Sequence, residues 1–232
     1  MKKQGSPYWS FLLVAIGLAF LVVLGEGSNI IANAVSLGGP TELDLRNRGL
    51  TRLPAEVLAM KNLRTLDLSG NKLRTLPAEL GKLSNLEELS IADNQLQGAI
   101  PAEIRKLRKL RILKLQHNEM TGIPAEIGQM ERLEELDYSF NQLDTMPNEI
   151  KNMKRLRKLS LAHNRYREFP VEMWQIPNLE DLDLSQNDLA SLPDQISQFK
   201  KLKVLKLGGN KLSQQDFERI KRLLPSAQVT NR

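Results

Sequence analysis

The sequence predicts an α/β solenoid, in which one short unit recurs along the chain and each copy stacks on the next. The first observation behind this prediction is a repeat of 23 residues, with one copy of 24, that runs through most of the chain. The second is that every unit joins a strand-like segment to a helix-like segment. A single unit cannot bury its own apolar face, so about eight stacked copies would share one core. A leucine begins each clear copy, at Leu63, Leu86, Leu110, Leu133, Leu156, Leu179 and Leu202, and a further copy begins at Pro40.

A short strand opens each unit. In the clearest copy, residues 63–68 read Leu-Arg-Thr-Leu-Asp-Leu, and the alternation of Leu-x-Leu predicts a strand with one buried face. An asparagine follows at the ninth position, where a buried amide can donate to and accept from backbone groups of neighbouring coils. We therefore expect a ladder of structural asparagines, at Asn71, Asn94, Asn118, Asn141, Asn164, Asn187 and Asn210.

A short helix is predicted in the second half of each unit. A proline recurs there and fits the first position of a helix, where its missing N–H costs nothing. A glutamate recurs two residues later, in the first helical turn, where negative charge is favoured. One acid per coil is a capping pattern and does not form a converging catalytic pair. The prolines are Pro54, Pro77, Pro101, Pro124, Pro147, Pro170 and Pro193, and the glutamates are Glu56, Glu79, Glu103, Glu126, Glu149 and Glu172.

These features together resemble the leucine-rich-repeat family, whose unit reads Leu-x-x-Leu-x-Leu-x-x-Asn-x-Leu. The resemblance covers about residues 40–212, and the Leu-Pro-x-Glu-Ile form is similar to the Ras-suppressor-like subgroup. The third copy differs, because Gln97–Pro101 adds one residue and resembles the plant-type unit. The first copy has Pro40 in place of leucine and Arg48 in place of asparagine, as is expected at the edge of a solenoid.

The resemblance implies a curved horseshoe. Its concave side would carry a parallel β-sheet, and its convex side would carry short helices or 3-10 turns. The family generally binds proteins through the concave sheet, so the same use is implied for this chain.

The first 34 residues predict a targeting segment. Lys2 and Lys3 precede an apolar run of fourteen residues, Phe11–Leu24. This length suits the apolar core of a signal peptide, about 7–15 residues, better than a membrane span of about 20. Small residues at suitable offsets allow cleavage after Gly27 or after Ala34.

An uncleaved membrane anchor is the alternative for this segment. Tyr8 and Trp9 would then lie at the membrane interface, and residues 8–25 would associate with the membrane. Residues 29–37 would then cover the first repeat as a cap, which is incompatible with cleavage after Ala34.

The C-terminal 20 residues predict a cap. Ser213 and Asp216 form a helix-start signal, apolar residues follow at helical spacing, and Pro225 ends the helix. The predicted organisation is therefore a signal peptide or N-terminal membrane anchor over residues 1–34, a solenoid over 35–212, and a capping helix and tail over 213–232.

The outward strand positions form the candidate binding surface. They follow the first leucine of each copy by two and four residues, and eight of the sixteen are acidic, although the chain carries a formal net charge of +6. Because parallel strands lie about 4.8 Å apart, these acids would form a stripe suited to a protein with a basic or mixed surface. The strand candidates for ligand binding are Asp44, Asp67, Glu88, Ile112, Lys114, Glu135, Asp137, Lys158, Asp181 and Asp183.

Phe140 completes the candidate ligand-binding set. It shares its place in the repeat with His117 and His163 of the adjoining copies, seven residues after the leucine. The two histidines would lie about 10 Å apart, too far to share one metal ion. An exposed aromatic residue is a typical interface contact, so Phe140 is a candidate hot spot.

A basic ridge is predicted on the descending side of the coils. Its residues recur at matching positions, and they favour either a solvated face or contact with anionic lipid or polymer. They are Arg105, Lys106, Arg108, Lys109 and Arg111, then Lys151, Lys154, Arg155 and Arg157, then Lys200, Lys201 and Lys203.

The sequence offers no catalytic motif. It has two histidines and no cysteine, which leaves little material for a histidine-based triad and excludes thiolate metal sites. Phosphate loops, nucleophile elbows and zinc motifs are absent from it. Nucleic-acid binding is not expected, because no aromatic residues interleave with the basic ones.

We therefore predict a monomeric, non-enzymatic protein-binding module without metal or cofactor, secreted or membrane-anchored and facing outside the cytoplasm. One alternative is a cell-envelope structural protein that binds anionic lipid or polymer through the basic ridge. Another is an intracellular signalling scaffold, if the N-terminal segment is not a targeting signal.

Overall fold

The computed structural model describes residues 39–231, which form a solenoid of short strands and 3-10 helices. The strands, in chain order, are β1 (Glu42–Asp44), β2 (Thr65–Asp67), β3 (Glu88–Ser90), β4 (Gln97–Gly98), β5 (Ile112–Lys114), β6 (Glu119–Met120), β7 (Glu135–Asp137), β8 (Lys158–Ser160), β9 (Asp181–Asp183), β10 (Val204–Lys206) and β11 (Gln228–Thr230).

One parallel sheet of nine strands lines the concave side. Its order is β1-β2-β3-β5-β7-β8-β9-β10-β11, and each strand pairs in register with the next. The central leucines Leu66, Leu89 and Leu113 face the core and are at most 1% exposed. A slip of one residue would turn every such leucine to solvent, so the hydrophobic pattern fixes this register. The predicted solenoid with a parallel concave sheet is confirmed.

The convex side carries one 3-10 helix in each of the first seven coils. The helices are η1 (Ala55–Ala59), η2 (Ala78–Lys82), η3 (Ala102–Lys106), η4 (Ala125–Gln129), η5 (Asn148–Asn152), η6 (Val171–Gln175) and η7 (Asp194–Gln198).

The recurring proline lies one residue before each helix and not at its first position. Pro124, for example, has an extended backbone and accepts a hydrogen bond from the N–H of Ile127 at 3.0 Å. The proline thus supplies the first carbonyl acceptor of the turn, and the prediction was wrong by one position. The recurring glutamates lie in the first turn, as predicted.

The asparagine ladder joins each coil to the one before it. The Nδ2 of Asn141 donates to the carbonyls of Tyr138 in its own coil and of Leu115 in the preceding coil, both at 3.0 Å. Its Oδ1 accepts from the N–H of Met120 at 3.0 Å. The same three kinds of bond recur through the ladder, so the predicted structural role is confirmed.

Two coils depart from the common pattern. The extra residue of the third copy accompanies the short strand β4, which pairs with β6 in a second, two-stranded sheet. In the sixth copy, Trp174 stacks on Phe169 with ring centroids 4.1 Å apart and lies 5.3 Å from the ring of Phe199. These rings extend the mostly aliphatic core.

The C-terminal end is closed by a helix and a strand. Helix α1 spans Gln214–Leu223, and the hydroxyl of Ser213 caps it by accepting from the N–H of Asp216 at 3.0 Å. Phe217 and Ile220 of this helix are buried against the last coil. Strand β11 then pairs with β10, an element that was not expected from the sequence.

The predicted targeting segment lies outside the described residues. This holds for residues 1–34, for the membrane-associated stretch 8–25 and for the alternative cap 29–37. Within residues 39–231, no helix is long and apolar enough to cross a membrane.

We predict that Asn141→Ala lowers the free energy of unfolding by about 1–3 kcal/mol, because backbone groups of two coils lose their partner inside the core. Denaturant unfolding measures this change. Asn178→Ala is the matched control, since its exposed amide bonds only the carbonyl of Lys154 and the ammonium of Lys201. It should cost no more than about 0.5 kcal/mol. Equal unfolding of Asn141→Ala and the parent would contradict the structural role of the ladder.

A second prediction concerns Tyr138, whose hydroxyl is buried at a core position that other coils fill with leucine or isoleucine. Among the described residues this hydroxyl has no hydrogen-bond partner. Tyr138→Phe should therefore raise the free energy of unfolding by about 1 kcal/mol. Tyr166→Phe is the control, because its hydroxyl donates to the carbonyl of Thr145 at 3.0 Å and its removal should destabilise. Destabilisation by both variants would show that the hydroxyl of Tyr138 has a partner.

Candidate binding site on the concave face

The sheet places two rows of outward side chains side by side on the concave face. The register aligns Glu135 with Lys158 and Lys158 with Asp181 in the first row. It aligns Lys114 with Asp137 and Ser160 with Asp183 in the second. All ten strand candidates therefore lie in these rows, which continue as far as Glu42 and Asp44 in the first coil.

Several acids of the second row accept hydrogen bonds from the loop that follows their own strand. The Oδ1 of Asp137 accepts from the N–H and the hydroxyl of Ser139, at 2.8 and 2.6 Å. Asp67 and Asp183 bind the serine two residues later in the same way. This structural role was not expected, although the pattern Asp-x-Ser is visible in the sequence. One carboxylate oxygen of each acid is therefore already used.

Asp44, in the first coil, is held by an arginine. The guanidinium of Arg46 contacts both carboxylate oxygens, with its nearest nitrogen at 2.6 Å. This ion pair lowers the pKa of Asp44 and raises that of Arg46. Arg46 also lies 3.6 Å from the carboxylate of Asp67. These two candidate acids are thus partly neutralised.

Two adjoining cavities open on the concave face between β5 and β10. One, of 460 Å³, is lined by the outward residues of β7, β8 and β9 together with Phe140, His163 and Lys206. The other, of 330 Å³, lies towards the start of the strands and reaches Ile112 and Val204. Both are lined by Glu135, Lys158 and Asp181. We call this pair of cavities the central groove.

Acids outnumber cations at the floor of the central groove. Glu135, Asp137, Asp181 and Asp183 face Lys158 and Lys206. Lys158 lies 3.7 Å from Glu135, and Lys206 lies 3.0 Å from Asp183.

Asp183 raises the pKa of Lys206 through a hydrogen bond and its charge, and the charges of Asp181 and Asp137 raise it further. Within residues 39–231, Asp181 has no ion-pair partner of its own. Its carboxylate remains available for a ligand.

Three aromatic rings are stacked at one edge of the groove. The ring of Phe140 lies between those of His117 and His163, with centroids 4.0 and 3.9 Å away. The histidines thus occupy opposite faces of the phenyl ring, and they do not converge on a metal ion. Phe140 is 39% exposed, so its free edge is open to solvent.

The stack is built on a left-handed backbone position. Every coil has a positive φ at this point, and Phe140 has φ 54° where Gly70 and Gly209 stand in two other coils. A bulky residue in this region costs about 1 kcal/mol or more. The repeat imposes this conformation on every coil, and Phe140 bears a strain that glycine would avoid.

A ladder of alternating charges runs along the other edge of the groove. From the second coil onward, the second residue of each coil is charged, and these residues are Arg64, Glu87, Arg111, Glu134, Arg157, Glu180 and Lys203. Ion pairs join neighbours, such as Arg111–Glu134 at 2.9 Å and Arg157–Glu180 at 2.7 Å. Hydrogen bonds from Arg157 and Lys203 lower the pKa of Glu180 to about 2. The alternation is visible in the sequence but was not recognised there.

The basic ridge is divided by this ladder. Arg111, Arg157 and Lys203 are paired with glutamates and belong to the rim of the groove. The other members of the ridge precede the ladder residues in the chain and lie in or directly after helices η3, η5 and η7.

The central groove therefore brings together only part of the predicted site. Seven candidates line it, namely Ile112, Glu135, Asp137, Phe140, Lys158, Asp181 and Asp183. Asp44, Asp67, Glu88 and Lys114 lie in the same rows but do not line either cavity. Among the described residues, no cluster of histidine, aspartate or glutamate has the arrangement of a metal site.

Two family models match the chain. One describes a leucine-rich repeat region and matches residues 42–146, and the other describes a leucine-rich repeat and matches residues 154–212. Neither distinguishes the Ras-suppressor-like subgroup, which stays a prediction. Comparison with curated protein sequences finds no significant match.

Solved structures of leucine-rich-repeat proteins are similar to this chain. A leucine-rich-repeat protein of Leptospira interrogans is 38% identical with a TM-score of 0.78, over 84% of this chain and 49% of its own. The chain thus spans about half the length of that relative. An internalin of Listeria monocytogenes is 20% identical with a TM-score of 0.74, over 86% of this chain and 56% of its own, and shows the fold alone.

A plant receptor is also similar. The leucine-rich-repeat ectodomain of the membrane receptor kinase GASSHO1/SCHENGEN3 of Arabidopsis thaliana, solved in complex with Casparian strip integrity factor 2, is 35% identical with a TM-score of 0.63. The match covers 69% of this chain and 20% of the receptor.

Proposed function

Because the chain belongs to the leucine-rich-repeat family, we propose that it is a non-enzymatic protein-binding module that holds its partner in the central groove. Leucine-rich-repeat proteins are commonly protein-binding modules. The observation that carries the proposal is the exposed, backbone-strained Phe140 beside a floor of acids, because aromatic anchors next to charged groups are typical of binding hot spots.

The groove suits a protein segment of mixed charge with a basic excess. Asp181 and Glu135 offer carboxylates to arginine or lysine side chains of the partner. Lys158 lies between them in the register and would oppose a partner that is purely cationic. The exposed edge of Phe140 gives an apolar contact at the end of the groove. Charge and apolar contact together would set the orientation of the segment.

Glu135 and Asp181 give a sharper test of the groove than Asp137 and Asp183, because the latter two also hold Ser139 and Ser185. The double variant Glu135→Lys and Asp181→Lys should leave folding intact and weaken partner binding by about 2 kcal/mol or more. Crosslinking of the full-length protein in its native cells, with mass spectrometry, identifies the partner and the contact residues. Titration with the purified partner then gives the affinity.

The matched control carries the same change of charge on the convex side. Glu56→Lys with Glu79→Lys reverses two exposed glutamates in the first turns of η1 and η2. This variant should bind the partner as the parent does. Equal affinity of the groove variant and the parent, or crosslinks confined to the convex side, would refute a binding site in the groove.

We further propose that the solenoid works outside the cytoplasm, either secreted or displayed on a membrane. The support is the basic and apolar N-terminal sequence, with residues 1–34 as signal peptide or anchor, 35–212 as the solenoid and 213–232 as its cap. The plant receptor ectodomain gives a similar fold in a membrane receptor. A monomer is proposed, with one groove per chain.

The intact mass of the protein from native cell fractions tests the export proposal. We expect a mass that lacks residues 1–27 or 1–34 in an extracytoplasmic fraction, or a full-length mass confined to membranes. The first result means a free exported module and the second an anchored one. A full-length mass in the cytosol would contradict export and would favour the intracellular signalling scaffold.

A further inference from the structure

A second recess, on the convex side, is lined by basic side chains that form no ion pair within residues 39–231. Its volume is 840 Å³, and it is lined by five basic residues of two consecutive coils, with Glu131 as one acid among them. We call this recess the basic hollow. Its basic residues are Arg105, Lys106, Arg108, Lys109 and Arg132.

These cations differ from those of the charge ladder. Arg111 and Arg157 each bind a glutamate within 3 Å. In the part of the chain that the structure describes, none of the five basic residues of the hollow has a carboxylate within ion-pair distance. Lys109 donates to the side-chain oxygen of Asn85 at 2.7 Å, a neutral partner that leaves its charge uncompensated. All five are exposed. The hollow is therefore a concentrated positive field open to an anionic ligand.

Two neutral amides and a glycine also line the hollow. Gln129 and Asn152 line it and are exposed, so each offers one amide donor pair and one acceptor. Gly128 lies in the wall, and a Cβ there would come within 2.2 Å of the carbonyl oxygen of Glu149 in the next coil. Close packing of the two coils thus demands glycine at this point.

We propose that the basic hollow binds an anionic polysaccharide, whose carboxylate or sulfate groups meet the cations and whose hydroxyls meet the amides of Gln129 and Asn152. Arginine forms bidentate bonds with such oxyanions, and side-chain amides match hydroxyls that both donate and accept. This site lies apart from the central groove and goes beyond the capture of a protein.

An extended chain fits the arrangement of charge better than a single small anion does. An exposed pair of basic residues directly precedes the first leucine of every second coil from the hollow onward. The pairs are Arg108 and Lys109 in the hollow, Lys154 and Arg155 two coils later, and Lys200 and Lys201 two coils further. Two coils correspond to about 10 Å along the solenoid. A polysaccharide that leaves the hollow along the row of helices would therefore meet further cations at regular intervals.

Other polyanions fit the hollow less well. No aromatic residue among residues 39–231 lines it, so this part of the chain offers no surface there on which nucleic-acid bases stack. No exposed large hydrophobic residue of the same range lines it either, whereas peripheral membrane binding usually adds an apolar insertion. The recessed shape and the amides favour a hydroxyl-rich ligand over a flat bilayer surface.

The test compares three variants of the full-length chain by titration with four probes. The probes are polygalacturonate, heparin, inorganic polyphosphate and phosphatidylglycerol vesicles. The first variant combines Arg105→Gln, Lys106→Gln and Arg108→Gln in the hollow. Its matched control combines Arg52→Gln, Lys72→Gln and Arg74→Gln, which removes three exposed charges from loops elsewhere. The third variant combines Gln129→Ala with Asn152→Ala. All carry the same N-terminal segment, so its contribution to vesicle binding is constant.

The hollow variant is expected to bind both polysaccharides at least about tenfold more weakly than the parent, and the control variant less than about twofold. The amide variant should lose affinity for the polysaccharides and keep that for polyphosphate. Unchanged melting temperatures show that all three variants fold.

Three outcomes would overturn the proposal. Equal losses from the hollow and control variants would mean that binding follows net charge alone. Full polysaccharide binding by the amide variant would mean a site for any polyanion. Vesicle binding that depends on Arg105, Lys106 and Arg108, with no polysaccharide binding, would assign the hollow to a membrane surface.

Discussion

The asparagine ladder is the interaction on which the rest of the structure depends. Where the chain leaves each strand, backbone donors and acceptors point into the core, and an unpaired group there would cost about 1–3 kcal/mol. One amide per coil satisfies groups of its own coil and of its neighbour, as Asn118 does for Leu115, Ile91 and Leu96. The same residue therefore closes the turn and fixes the distance to the preceding coil. The strands are only three residues long, and they can form one parallel sheet because the asparagine ladder holds neighbouring coils together.

Once the coils are held in this way, their two faces are free to differ. The outward strand residues of the concave face do not pack in the core, and neither do the side chains around the basic hollow. The concave groove carries acids and a strained aromatic stack, and the convex hollow carries cations and amides. The net charge of +6 hides this division, because it adds the acids of the groove to the cations of the hollow.

Sequence patterns predicted the structural features that depend on the repeat period and on the residue type at a given repeat position. The alternating leucines gave the strands and their register, and the asparagines gave the ladder. Contacts between coils were harder to foresee, because they join residues about 23 positions apart. The stack of Phe140 between two histidines was expected only as a shared repeat position. The hydrogen bonds of Asp67, Asp137 and Asp183 to nearby serines were missed. An acid that faces outward from a strand can either bind a ligand or accept hydrogen bonds from the following loop, and the sequence pattern does not distinguish the two. Strand β11 was missed because residues 228–230 lie outside the repeat.

The alternating charge ladder constrains how such a solenoid can change length in evolution. Arg111, Glu134 and Arg157 lie on three successive coils, so deletion of the middle coil would place two arginines side by side. Insertion of a single copied coil would likewise create a pair of like charges, which repel across neighbouring strands. Loss or gain of two coils together preserves the order of signs. Unequal recombination would therefore be tolerated more readily in steps of two repeats than in steps of one.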